Sequence, residues 1–255
     1  LHVLRGIFGT HVAHILRRLR RICRHYGSDP VFVFTSATIG QPERLASALC
    51  AAPVTAITDD GSPTGPRRFA LLDPPVIDEE TGVRASANSE VAAVSAALVE
   101  SGHRTITFCQ SRKGTELIAA DISRRVSPHL KRAVMSYRAG YLAEERRAIE
   151  EQMSDGTLRG IVATSALELG VDIGDLDACV INGFPGTIAS MWQQAGRAGR
   201  RNAPSVSVLV AGDDQLDRYL MRHPHEVFER QPEPSVINTA NPHICLLYTS
   251  DAADD

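Results

Sequence analysis

Apolar positions set the first predicted elements. From Thr10 to Tyr26 they fall at Val12, Ile15, Leu16, Leu19, Ile22 and Cys23, the three-and-four spacing of an amphipathic helix. Thr10 is placed to cap this helix and Gly27 to close it. The other face carries Arg17, Arg18, Arg20, Arg21 and Arg24, which read as a solvated face rather than a nucleic-acid stripe. Val31–Thr35 (VFVFT) is a continuous apolar run, the pattern of a buried parallel strand. Gln41–Cys50 is predicted helical, with Pro42 tolerated in its first turn. Val54–Thr58 reads as a further strand.

The pattern then breaks. Thr58–Arg68 is rich in Gly, Pro, Asp and Ser, and 74–88 is again loop-like, with a short strand expected over Phe69–Leu72. Such punctuation marks a linker between domains. From Ser89 the rhythm is regular. Helices are predicted from Ser89, as cap, to Gly102, over Lys113–Val126, over Leu142–Met153 and over Ala189–Arg197. Strands are predicted over Thr105–Cys109, Ala133–Ser136, Gly160–Thr164, Ala178–Asn182 and Val206–Ala211. Strands alternating with helices imply right-handed βαβ units and a parallel sheet covered on both faces. Ligands of such sheets lie beyond the carboxyl ends of the strands, so the residues after each strand are the ones to inspect.

Composition narrows the class. The chain has 255 residues, 43% hydrophobic and 22% charged, enough for a large core and too ordered for a disordered or fibrous protein. No apolar run reaches membrane-spanning length, and residues 1–10 lack the features of a signal peptide. Five cysteines, scattered and without a C-x-x-C pair, fit a reducing cytoplasm better than a disulfide framework or a zinc site. The net charge of −3 gives no global basic field. Lys113 and Lys131 are the only lysines, so a phosphate would be met mainly by guanidinium groups, although codon bias explains the same arginine excess.

Three segments carry chemistry. Gln193-Gln194-Ala195-Gly196-Arg197-Ala198-Gly199-Arg200 has the form Q-x-x-G-R-x-G-R. Two arginines three apart point the same way on a helix, and the glycines allow close backbone approach. That arrangement suits an arginine finger on a transferring phosphoryl group; the alternative is a helix end with solvated arginines. Ala163 to Gly174 (ATSALELGVDIG) follows a strand. Thr164 and Ser165 stand where hydroxyls and helix-start N–H groups hold a phosphate, and Asp172 can accept from a sugar hydroxyl. An ordinary capped turn accounts for the same residues. Thr35-Ser36-Ala37-Thr38 follows a strand and offers hydroxyls that could bridge two sites, or simply cap a helix.

In this order the segments resemble the motifs of superfamily-two helicases, the DEAD/DEAH-box-like ATPases. Ser36-Ala37-Thr38 resembles motif III, Phe108–Arg112 (FCQSR) motif IV, Thr164–Gly174 motif V and Gln193–Arg200 motif VI. Tyr137–Tyr141 (YRAGY) is similar to a segment many such helicases carry between motifs IV and V. INGFPGTIASMWQQAGRAGRR, YRAGYLAEERR and LVAGDDQLDRYL resemble one branch: bacterial and fungal 3′→5′ DNA helicases that share a cysteine-rich C-terminal domain and include mitomycin-repair helicases. Leu1-His2 resembles the last two letters of that branch's D-E-x-H box.

The resemblance implies an α/β, RecA-like doubly wound parallel sheet. Residues 1–57 would be the C-terminal remnant of a first, ATP-binding lobe, 58–88 the inter-lobe linker, and 89–244 a complete C-terminal lobe. Residues 245–255 (CLLYTSDAADD) resemble translated adapter sequence and are set aside. ATP with Mg²⁺ and DNA, as tracking strand and duplex, are the implied ligands, and DNA repair the implied context. Arg197 and Arg200 would contact the γ-phosphate, Arg200 as the better finger, with Gln193 coupling nucleotide to the lobe interface. Gly170 and Asp172 would lie near the ribose. Thr164, Ser111 and Arg112 would hold the nucleic-acid backbone, while Ser36 and Thr38 would link hydrolysis to strand movement. The chain has no G-x-x-x-x-G-K-S/T phosphate loop and lacks the Asp and Glu of the box, so it is expected to be a fragment that does not turn over ATP. Two alternatives stay open: an RNA helicase of the same superfamily, against which Gln193 in place of His argues, and an inert nucleic-acid-binding module if the gene begins at Leu1.

Overall fold

The computed structural model describes residues 1–59, 61, 65–137, 140–169, 173–174, 176–199 and 203–249. The chain divides into two compact units, one of Leu1–Gly61 with Gln231–Asp255, the other Ser62–Arg230.

The first unit contains helices α1 (Gly6–His25) and α2 (Pro42–Cys50). Ala13, Leu45 and Leu49 form a small buried cluster between them. Arg17 and Arg20 donate from α1 to the carbonyls of Ala48, Cys50 and Ala51, occupying acceptors that the end of α2 leaves open. Part of the arginine face is therefore a helix cap rather than a solvated surface. Thr10 is no cap: α1 begins at Gly6, and the Thr10 hydroxyl donates to the Gly6 carbonyl at 2.8 Å. VFVFT and Val54–Thr58 are not strands either. A strand exists only through pairing, and both segments run extended without ladder partners among the described residues. Val31 and Val33 are 89% and 83% exposed.

The second unit opens with β1 (Arg67–Leu72) and a two-stranded antiparallel hairpin, β2 (Val76–Asp78) and β3 (Val83–Arg84). Segment 58–88 thus supplies folded elements as well as a connection. There follow α3 (Ala87–Glu100), β4 (Thr105–Phe108), α4 (Arg112–Arg125), β5 (Val134–Tyr137), α5 (Ala143–Asp155), β6 (Gly160–Ala163), β7 (Ala178–Asn182), α6 (Ile188–Ala195), β8 (Ser205–Val210), α7 (Gln215–Arg222) and α8 (Pro224–Glu229). Helix α9 (Pro242–Thr249) returns to the first unit and includes the start of the tail set aside on sequence. Ser86, not Ser89, is the N-cap of α3; Ser89 Oγ instead accepts from Arg125 at 2.9 Å.

Six strands form one parallel sheet in the order β1-β8-β7-β4-β6-β5. Alternate side chains of each strand enter different cores. Ile106, Phe108, Ile161, Cys179, Ile181 and Leu209 pack with Ile149 and Met153 of α5 and Met191 of α6. Val134, Val162, Val180 and Val208 pack with Val91 of α3 and Ile118 and Ile122 of α4. Both faces are covered, which is why the strands read as unbroken apolar runs. The arrangement is a RecA-like lobe.

All five cysteines are free. Burial pushes the Cys109 thiol up to about 12 and raises that of the fully buried Cys179 as well. Thiolate is the reactive form, so in native protein at pH 8 iodoacetamide should label half-exposed Cys23 long before either of these. Mass spectrometry of alkylated peptides before and after unfolding checks it; equal native labelling of Cys109 and Cys23 would refute the burial.

Candidate functional site

Strand register brings the sequence motifs to one edge. Phe108 pairs with Ala163 on β6 and with Ile181 on β7. The segments that follow, Cys109–Arg112, Thr164–Leu169 and Gly183–Gly186, therefore leave the sheet side by side. Between them lies a cavity of about 370 Å³ lined by Gln110, Ser165, Glu168, Asn182, Ser190 and Gln194, among others.

Ser111 is the N-cap of α4, and its hydroxyl accepts from Gly114 N at 3.0 Å. A Cβ at Gly114 would stand 2.9 Å from that hydroxyl. Arg112 begins the helix, and its side chain is exposed. Lys113-Gly114-Thr115 is thus a helix start. Thr164 is half-buried after β6, and the expected helix there is a single 3₁₀ turn over Ser165–Leu167. Three residues carry too few aligned peptides for an anion-binding dipole, so the helix-start N–H groups expected beside Thr164 form no such site.

The turn after β7 is fastened from behind. Buried Asp217 of α7 accepts from Phe184 N at 3.0 Å and from Gly212 N; burial raises its carboxyl above the usual range. Asp214 caps α7 by accepting from Leu216 N and Asp217 N, and Asp213 pairs with Arg218 at 2.7 Å. Both aspartates thus tie down α7, one at its cap and the other through Arg218.

Helix α6 holds only the start of the glycine- and arginine-rich motif: it stops at Ala195 with Gly196 as its C-cap, short of the expected Arg197, which therefore follows the helix rather than lying on it. Thr187 caps the helix, accepting from Ser190 N. At its far end Cys179 Sγ donates to the Gln194 carbonyl at 3.3 Å and Ser207 Oγ to that of Ala195 at 3.3 Å. Trp192 packs against Phe69 and Phe228, with centroids 5.3 and 6.3 Å apart. Gly199 has φ +91°, and a Cβ there would stand 2.3 Å from Ser205 Oγ, so the glycine is required by backbone and space together.

Arg197 is only 8% exposed. Its Nε and Nη2 donate to the Glu168 carbonyl at 2.9 and 2.6 Å. Glu168, also 8% exposed, accepts through one carboxylate oxygen from Ser190 Oγ at 2.6 Å and through the other from Gln194 Nε2 at 3.0 Å. Sequence reasoning missed Glu168. Its signal was a lone carboxylate between Leu167 and Leu169. Gln193 lies half-buried on α6. Gly170, Asp172 and Arg200 lie outside the described residues.

Ser36 and Thr38 belong to the first unit. There the Ala37 N–H donates to His2 Nδ1 at 3.2 Å, and Ser36 Oγ stands 3.4 Å from the same nitrogen. The two segments that resemble box II and motif III are therefore in contact.

Comparison with known proteins agrees with these motifs. Residues 89–202 match the helicase conserved C-terminal domain. The chain is 45% identical to the uncharacterized ATP-dependent helicase YprA of Bacillus subtilis, over 99% of this chain and 34% of that protein. It is 39% identical to the ATP-dependent helicase HRQ1 of Saccharomyces cerevisiae, over 90% of this chain and 22% of the relative. The crystal structure of the DUF1998 helicase MrfA bound to DNA and AMPPNP superposes with a TM-score of 0.93 at 44% identity, covering 99% of this chain and 35% of that one. The chain thus spans about a third of the length of YprA and MrfA and about a fifth of that of HRQ1. Residues 89–202 belong to the helicase conserved C-terminal domain family, and over nearly its whole length the chain is similar to ATP-dependent helicases.

Proposed function

We propose that the whole protein is an ATP-dependent DNA helicase, in which nucleic-acid-stimulated ATP hydrolysis drives movement along one strand and opening of the duplex. The observation that carries this reading is the joining of two motifs through one residue. Glu168, in the segment that follows β6, accepts from Gln194 and Arg197 of the Gln193–Arg200 segment, so a shift at the nucleotide would be passed to the segment that grips the strand. Arg200 contacts the γ-phosphate, with Arg197 beside it, and Gln193 couples the nucleotide to lobe movement. Gly170 and Asp172 face the ribose. Thr164 and the exposed Ser111 and Arg112 hold the strand by its backbone, which gives sequence-tolerant binding that weakens steeply with salt. Ser36 and Thr38 connect hydrolysis to that grip. The relatives named ATP-dependent helicases and the DNA- and AMPPNP-bound structure support both ligands. Five free cysteines fit a reducing, cytoplasmic setting. Among the described residues no helix is long and apolar enough to cross a membrane.

Magnesium is the family's usual companion to ATP. Among the described residues no group of three His, Cys, Asp or Glu side chains stands ready for a metal ion.

The test is ATP hydrolysis by the whole protein with single-stranded DNA, with RNA and with neither, followed by unwinding of matched duplexes. Stimulation by DNA well above that by RNA is expected; hydrolysis indifferent to DNA would sink the proposal. The 255-residue chain alone, which carries no G-x-x-x-x-G-K-S/T sequence, should release no phosphate above background. Loss of an arginine finger alone costs about 10³–10⁵ in rate. Turnover abolished by Arg197→Ala in this chain would contradict the expectation.

A further inference from the structure

We propose that Glu168 is a positioning residue for ATP hydrolysis: its carboxylate, held by Ser190 and Gln194, and its carbonyl, held by Arg197, fix the turn after α6, the segment from which the helicase reading has the arginine finger extend. The inference rests on the helicase reading above and deepens it.

Ser190 and Gln194, four residues apart, lie on one face of α6, and Arg197 follows two residues beyond its end. All three donate to the same residue. A carboxylate taken out of water is costly unless hydrogen-bonded, and the neighbouring Leu167 is fully buried without that cost. Packing alone therefore does not call for a charge here. Gln194 adds a second sign. It is 5% exposed, and its Oε1 is buried without a hydrogen-bond partner. Its amide is oriented by the Glu168 carboxylate while an acceptor goes unsatisfied, an arrangement that costs free energy. The far end of α6 is secured separately by Cys179 and Ser207. Removing the carboxylate should then free the near face and let the following turn swing, without dissolving the helix.

The experiment measures kcat and KM for ATP of the whole protein at saturating single-stranded DNA. A displacement of about 1 Å in a reacting group costs up to about 10²-fold in rate, so Glu168→Ala should lower kcat about 10- to 100-fold. KM for ATP should change by less than about threefold, because ground-state contacts to the nucleotide remain. Glu168→Gln, whose amide oxygen still accepts one of the two donors, should recover at least about a third of the wild-type rate. Glu168→Ala within about twofold of wild type overturns the proposal, as does Glu168→Gln no better than Glu168→Ala. Should Glu168→Ala not fold, Ser190→Ala replaces it, with a loss of about three- to tenfold in kcat expected and an unchanged kcat overturning. A wild-type protein that hydrolyses no ATP would sink the helicase reading instead. Positioning is then read by hydrogen exchange, where Ser190→Ala should speed exchange about tenfold over residues 195–199 and leave β4 and β7 unchanged. Unaltered exchange at 195–199 overturns it.

Discussion

Replacing Arg200 by alanine in the whole protein should lower DNA-stimulated kcat by about 10³–10⁵, the range over which an arginine finger acts in related phosphoryl transfers. Affinity for single-stranded DNA and the melting temperature should stay near wild type, because the lost contact forms only as charge develops on the phosphoryl group. Arg197→Ala should behave differently. Its guanidinium is buried and donates twice to the Glu168 carbonyl, so its removal leaves an unsatisfied acceptor and should cost about 1–3 kcal/mol of stability in addition to activity. Rate and thermal melting measured on both variants separate the two arginines. Arg200→Ala with a kcat within about tenfold of wild type would remove the finger from Arg200.

Gly199→Ala should give the largest loss of stability among single substitutions near the site. A side chain at φ +91° is strained, and its Cβ would stand 2.3 Å from Ser205 Oγ and 3.0 Å from Ser205 Cβ. Backbone strain and overpacking together should cost about 2–4 kcal/mol. Ser205→Gly removes the nearest obstacle, so the double variant should regain part of that loss; the backbone share should persist. Chemical denaturation of the four proteins of this cycle measures both parts. Full recovery in the double variant would show that φ contributes nothing.

The lobe was legible because its strands are buried on both faces. Ala178–Asn182 is the strand the apolar run predicts, and the other four predicted after Ser89 differ from β4, β5, β6 and β8 only at their ends. Pattern reports the wish to be buried, not the presence of a neighbour. VFVFT is, like β4, rich in β-branched and aromatic residues, yet it lacks a strand to pair with among the described residues and so stays extended. The hairpin β2–β3 was hidden by its surroundings. Its turn, with Gly82 at φ +69°, lies in a stretch whose prolines and glycines signal only a loop. Caps moved for a simpler reason, since Ser86 and Ser89 both qualify by type and geometry chooses one. The motif residues were visible as residues. What joins them was not, because a buried glutamate between leucines has no periodicity, and its partners lie more than twenty positions away.

The first unit is completed by residues from the far end of the chain. Gly6 N donates to the Val236 carbonyl, Asn238 N donates to Thr10 Oγ1, and the Gly40 backbone approaches Pro232 so closely that no Cβ fits. On a ribosome these partners emerge only after all of Ser62–Arg230 has been made. At about 5–20 residues per second that is a wait on the order of ten seconds or more before these particular hydrogen bonds can form. Contacts this distant in sequence close only after a long stretch of chain has been made, so these hydrogen bonds should be among the later ones to form.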